Sequence, residues 1–263
     1  MSEKEIRKAN RRALPGFLLM LVVCVAVGGG IGYLFGKYRL DTLAGGLKRA
    51  CAFFGGQIAP WLLLALAVIV PAVAVPAYRG VKKRLSAWDG EDEEASDAMD
   101  ARLSEILWFA GSAMIVSYFL IAASYSIGIA ALDDRGNALR FALAIVGLIS
   151  VLVETLLIQQ RCVDAAKILN PEKTASVYDM RFQKKWMDSC DEAEKVLIGQ
   201  CAYKAFGATN IACLALTILL VVGALVFDIG FVPSLVVCVI WLVNQSVYCR
   251  EGIRSSRAGN RIS

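Results

Sequence analysis

The apolar positions of this chain fall into long unbroken blocks, without the alternation of a half-buried strand or the one-sided stripe of a soluble helix. Six blocks cover residues 13–36, 58–78, 106–132, 141–159, 205–227 and 231–249, each bounded by charge. A hydrocarbon core roughly 30 Å thick takes about 20 helical residues to cross, so every block is the size of a membrane span. Unpaired backbone groups are costly in lipid, and blocks of this length are helices, not barrel strands. The expected fold is therefore all-α: one integral membrane domain over 1–263 with six transmembrane helices. The first block follows Lys4, Arg7, Lys8, Arg11 and Arg12, as a secretory signal would. It is longer than a signal's apolar core, and no small-x-small cleavage site closes it convincingly before Lys37, so it is read as a retained span.

Two long polar connections separate the spans, 79–105 and 160–204. The first holds Trp88 and then seven acids within twelve residues, Asp89 to Asp100, before a helical stretch leads into the third span. The alternating ligands, central Gly and terminal Glu of a calcium loop are missing, so the acids read as a solvated surface that could dock a partner. The second connection turns at Asn170-Pro171 and carries Phe182 and Trp186 on one helical face, beside Lys184 and Lys185. That pattern suits either a helix lying on anionic headgroups or a packing face against the bundle. Phe182, Trp186, Lys184, Lys185 and Trp88 are thus the candidate interfacial or partner-binding residues. Ser189-Cys-Asp-Glu192 has the form of a capping box, with Ser189 accepting from the Glu192 N–H and starting a helix that runs into the fifth span. Trp88 and Trp186 each precede an acidic, helical run into a span, which suggests a repeated unit of cytoplasmic helix plus membrane hairpin.

Composition sharpens this picture. Of 263 residues 57% are apolar and 19% charged, too greasy for an ordinary soluble fold. Histidine is absent, which excludes a Ser-His-Asp triad, zincin and Cys/His zinc sites, His-ligated haem and a histidine proton shuttle. The net charge of +5 is unevenly spread: with six spans, 22 of the 28 Lys and Arg fall on the side of both termini and the two long connections. The positive-inside rule makes that side cytoplasmic, with Lys37, Arg39, Lys48 and Arg49 as a local exception. The basic excess is topological, so a nucleic-acid partner is not expected. Among the eight cysteines only Cys51 lies on the outer side, and no C-x-x-C occurs, so neither an outer disulfide nor a thiolate metal site is expected.

Glu154 is the acid well inside a span, and charged groups there are expensive enough to be paired, protonated or turned to the bundle interior. Counted from the cytoplasmic ends, Glu154, Asn210, Asn244 and Ser112 share a depth of about 9 to 10 Å. This layer is either an ion or ligand site open to the cytoplasm or an interhelical hydrogen-bond network, and a single carboxylate without a Lys or Arg at its depth favours the network. Pro71 and Pro76 are expected to kink the second span, and Gly28, Gly32 and Gly36 to give the first a smooth face. Residues 37–56 form the one outer connection of useful length, and Asp228-Ile-Gly a tight outer turn. No Walker loop, dinucleotide fingerprint or nucleophile elbow is present, so neither an enzyme nor a cofactor is expected.

Several segments together carry a family resemblance. They are Asp92-Glu-Glu with Asp100-Ala-Arg-Leu-Ser, Asn170-Pro-Glu-Lys, Phe182-Gln-Lys-Lys-Trp, Ser189-Cys-Asp-Glu-Ala-Glu-Lys, Ala202-Tyr-Lys-Ala with Thr209-Asn210, and Asp228-Ile-Gly near Ile240-Trp-Leu-Val. From the first long connection to the last span, the chain resembles the bacterial membrane proteins grouped as domain of unknown function 3169. The resemblance implies a bacterial multi-pass protein of the cytoplasmic membrane and carries no activity or catalytic residues with it. The expected role is a non-enzymatic sensory, immunity or accessory protein that engages the bilayer and a cytoplasmic protein. The alternative is a small transporter built around Glu154.

Overall fold

The computed structural model describes residues 14–16, 18, 19, 22, 23, 26, 30, 41–126, 133–173, 176–227 and 229–259. Helix α1, Asp41–Phe53, passes through a π-helical turn, Phe54–Ile58, into α2, Ala59–Leu85. Then follow α3, Glu93–Tyr125; α4, Arg135–Leu169; the short α5, Phe182–Asp188; α6, Glu192–Phe227; and α7, Val232–Gly259. No strand occurs among the described residues. Among the described residues five stretches are long and apolar enough to cross a membrane: Gly45–Leu85, Glu93–Tyr125, Arg135–Leu169, Glu192–Ala224 and Val232–Glu251. They coincide with the second to sixth expected spans. The expected span 13–36 and its glycine face lie largely outside the described residues, and the positions described between 14 and 30 are helical.

The helices overrun the spans at their polar ends. At 33 residues α3 is about 50 Å long, against a hydrocarbon core of roughly 30 Å. The connection 79–105 is accordingly helical except for a link at 86–92. Aspartates start the next two helices: Asp92 Oδ1 accepts from the Ala95 N–H at 3.0 Å, and Asp134 Oδ2 from the Asn137 N–H at 2.9 Å. The expected outer connection, 37–56, is also helical from Asp41 onward, running without a break into α2. Pro71 and Pro76 both lie within α2, which continues to Leu85.

The chain divides into two compact units. In the unit Lys48–Gln200, α2, α3 and α4 pack on one another around two clusters. One includes Val70, Ala74, Met99, Leu103, Ala110 and Cys162; the other is Ala59, Leu63, Leu120 and Ala144. Small residues at these contacts matter because apolar side chains gain nothing by leaving lipid, so association relies on close backbone approach. Gly147 of α4 is such a contact: a Cβ there would lie 3.1 Å from the backbone carbonyl carbon of Leu63. Gly55 in the π turn meets the carbonyl oxygen of Ala123 in the same way. Buried hydroxyls within the unit bond back to their own helix, Thr155 donating to the Val151 carbonyl at 2.8 Å and Ser124 to Leu120 at 2.9 Å. Outward-facing apolar side chains remain uncovered, Trp108 at 75% exposure and Ile115 at 70%, the arrangement a lipid solvent requires. In the other unit, Met1–Leu47 with Cys201–Ser263, the Phe206 ring of α6 stacks on Tyr248 of α7 with centroids 4.2 Å apart.

Candidate functional site

Around the polar end of α4 the chain builds a cluster from five segments of the Lys48–Gln200 unit. Asn170 ends α4, and its side-chain amide donates to Asp100 Oδ2 of α3 at 3.3 Å. The turn after Pro171 brings Lys173 inward, its N–H bonding the Asn170 carbonyl at 3.1 Å. The Lys173 side chain is only 2% exposed and forms an ion pair with Glu194 in the first turn of α6. Its remaining donors face Cys190 Sγ at 3.4 Å and the Ser189 carbonyl at 3.5 Å, and the ammonium lies 5.7 Å from the centroid of the Trp186 ring. An ammonium has three donors, and all three are engaged. Lys173 is therefore an anchor, not a nucleophile or base.

Electrostatics agree with geometry here. Burial works against the charged form of Lys173, but the hydrogen bonds to Glu194 and Cys190 outweigh it, and its pKa is raised. The bond from Lys173 holds the carboxyl of Glu194, on the polar extension of α6 ahead of the span 205–227, below the usual range. A second clamp comes from Gln160 of α4: its Oε1 accepts from the Val177 N–H at 3.1 Å and its Nε2 donates to Asp164 Oδ1 at 2.8 Å. The segment 176–188 is thus pinned at both ends, yet Tyr178 is 66% exposed and Met180 fully so.

The sequence-predicted residues are distributed as follows. Phe182 and Trp186 stack on α5 with centroids 5.7 Å apart, both half-buried. Lys184 and Lys185 are exposed, and Lys185 pairs with Asp179, whose carboxyl that bond lowers. Trp88 packs against the larger core cluster and donates its indole N–H to the Asp92 carbonyl at 3.1 Å, closing the link between α2 and α3. The predicted capping box is displaced. Ser189 Oγ donates to the Trp186 carbonyl at 2.8 Å, and Glu192 pairs with Lys195 at 3.1 Å. The cap is Asp191, whose Oδ1 accepts from the Glu194 N–H at 2.7 Å, while Glu194 Oε2 accepts from the Asp191 N–H at 3.0 Å. Ser189 is held by the end of α5, so the next acid in line starts α6.

The polar layer is split between the two units. Glu154 flanks the core-facing stripe of Val151, Thr155 and Ile158 on α4, and its Oε2 is buried without a hydrogen-bond partner among the described residues. Ser112 is half-buried on α3 of the same unit. In the other unit Asn210 Oδ1 accepts from the Trp241 indole N–H at 2.9 Å, and Asn244, one turn further along α7, buries an Nδ2 that has no partner among the described residues. Sequence reading missed Lys173, Gln160 and Asp100 as a cluster, because each is polar in a polar stretch and only the fold brings them together.

No family model matches the chain, and comparison with curated proteins and with solved structures finds no match either. The fold itself defines the class: the described residues are helical, with five stretches long and apolar enough to span a membrane, which fits a polytopic membrane protein.

Proposed function

We propose that this chain is a six-span protein of the bacterial cytoplasmic membrane, with both termini inside, that serves a non-enzymatic sensory, immunity or accessory role by presenting a cytoplasmic docking face. The observation that carries the reading is the pinned segment 176–188: Lys173 and Gln160 fix it, while Tyr178 and Met180 point apolar side chains outward. Apolar groups held rigidly in place bind at a low ordering cost, which is what a docking surface needs. The asymmetry of Lys and Arg and the helical positions between 14 and 30 support the orientation and the sixth span. The likeness to domain of unknown function 3169 supports the bacterial setting.

In-cell photo-crosslinking from position 180, with position 108 in the lipid-facing surface as comparison, tests the reading. A discrete cytoplasmic-protein adduct from 180 alone is expected, and its absence contradicts the proposal. The second reading, a small transporter, is favoured by one observation, the buried and unpartnered Oε2 of Glu154. It predicts solute flux in reconstituted vesicles that Glu154→Gln abolishes.

A further inference from the structure

Between the polar ends of α2 and α3 lies a cleft of about 470 Å³. Pro76, Ala77 and Val81 of α2 and Met99 of α3 give it an apolar floor. Its rim carries Arg84, Arg102 and Glu105. Arg102 and Glu105 are paired with each other, one turn apart on α3. The guanidinium of Arg84 has no ion-pair or side-chain hydrogen-bond partner among the described residues, although it borders both this cleft and a second one of about 300 Å³ that continues to Trp88. Two carboxylates line the second cleft, but Asp92 Oδ1 caps α3 and Asp89 Oδ1 accepts from the Glu91 N–H at 3.0 Å.

The level of the cleft decides what it can hold. Pro76 and Ala77 close the apolar run 58–78, Arg79 is the first charge beyond it, and Ile106 opens the next apolar run directly after Glu105. Apolar floor and cationic rim therefore meet at the boundary between hydrocarbon and headgroups. A basic pocket between transmembrane helices on the cytoplasmic side recognises an anionic headgroup, and the apolar floor adds room for a chain. We propose that this cleft binds an anionic phospholipid of the inner leaflet, with its phosphate at Arg84 and the start of an acyl chain along Pro76 and Ala77. The inference rests on the bilayer placement and is independent of the docking face.

Gly80 supplies a clean test, because it lines the cleft and a Cβ there would meet nothing within 4 Å. Gly80→Leu fills the space, and leucine suits a helix better than glycine. Native mass spectrometry of the full chain in detergent reads binding of added phosphatidylglycerol, phosphatidylcholine and free glycerol phosphate. Phosphatidylglycerol is expected to bind more tightly than phosphatidylcholine, with glycerol phosphate failing to compete. Arg84→Gln should weaken it about fivefold, the scale of one basic residue near an anionic headgroup. Gly80→Leu should lower it further, and Lys83→Gln, which removes an exposed charge outside the cleft, should change it less than Arg84→Gln. Helical circular dichroism of each variant reports folding. Equal binding of the two lipids, competition by glycerol phosphate, an equal loss with Lys83→Gln, or unchanged binding in folded Arg84→Gln and Gly80→Leu overturns the proposal. Solubility of the chain without detergent would instead sink the bilayer placement itself.

Discussion

The carboxylate of Glu194 serves two masters: it closes the capping box of its own helix at Asp191 and receives the buried ammonium of Lys173 from across the preceding turn. One side chain thereby couples the start of α6 to the end of α4. Replacing Lys173 with Met keeps the stem and removes the charge. The expected cost is about 1–3 kcal/mol, below the usual value for a fully buried pair because Glu194 is 37% exposed and can rehydrate. Thermal unfolding in detergent should show the loss. The Trp186 emission should shift in the folded variant, since the cation over its ring is gone.

The same pair sets a pH window. Glu194 has a lowered pKa, so its contribution is complete above the ordinary carboxylate value of about 4.3 and fades as pH falls toward its folded value. Lys173 has a raised one, so its contribution is complete below the ordinary value of about 10.4 and fades as pH rises through the folded value. Stability of the cluster should be flat across neutral pH and fall at both extremes. A Lys173→Met chain should lose the alkaline limb and keep a weakened acid limb, because the Asp191 N–H still bonds the Glu194 carboxylate; an identical pH–stability curve would refute the assignment.

Gly147 allows α4 to approach the backbone of Leu63. Gly147→Val adds two methyl groups beyond a Cβ that is already tight, and overpacking of this kind costs about 1–3 kcal/mol. Gly111 on α3 has open space at its Cβ position, so Gly111→Ala should be neutral or better. Comparing their melting midpoints in detergent checks the helix crossing. Equal midpoints for the two variants would mean that α2 and α4 do not meet there.

Glu154 leaves a buried oxygen without a hydrogen-bond partner among the described residues, so removing the carboxylate should not destabilise the packing of α2, α3 and α4. Glu154→Leu is expected to melt at or above the parent temperature. A lower midpoint would reveal a partner for that oxygen.

Much of this architecture is legible along the chain because lipid imposes a simple rule. The apolar blocks between Ile58 and Cys249 reappear as α2, α3, α4, α6 and α7, since a run of this length bounded by charge has few other solutions. Cap chemistry was legible in kind but not in register: Ser189 and Asp191 are both good N-caps, and the choice depended on the Ser189 hydroxyl being used by Trp186. The Lys173 cluster was not legible. Its members are spread from Asp100 to Glu194, and nothing local distinguishes a buried lysine from a solvated one. Trp88 reads as an interface residue by its position beside an acidic run, yet its indole closes a link and packs on the core, a dual use of tryptophan that only tertiary contacts separate.

Lipid around these helices, with the long polar connections on the inner side, is the arrangement on which the proposed function rests. Single-cysteine chains retaining Cys51, Cys201 or Cys249, all exposed, probe it with a membrane-impermeant maleimide in intact cells. Labelling of Cys51 in intact cells, and of Cys201 and Cys249 only after permeabilisation, is the predicted result. Modification of Cys201 or Cys249 from outside intact cells contradicts the account.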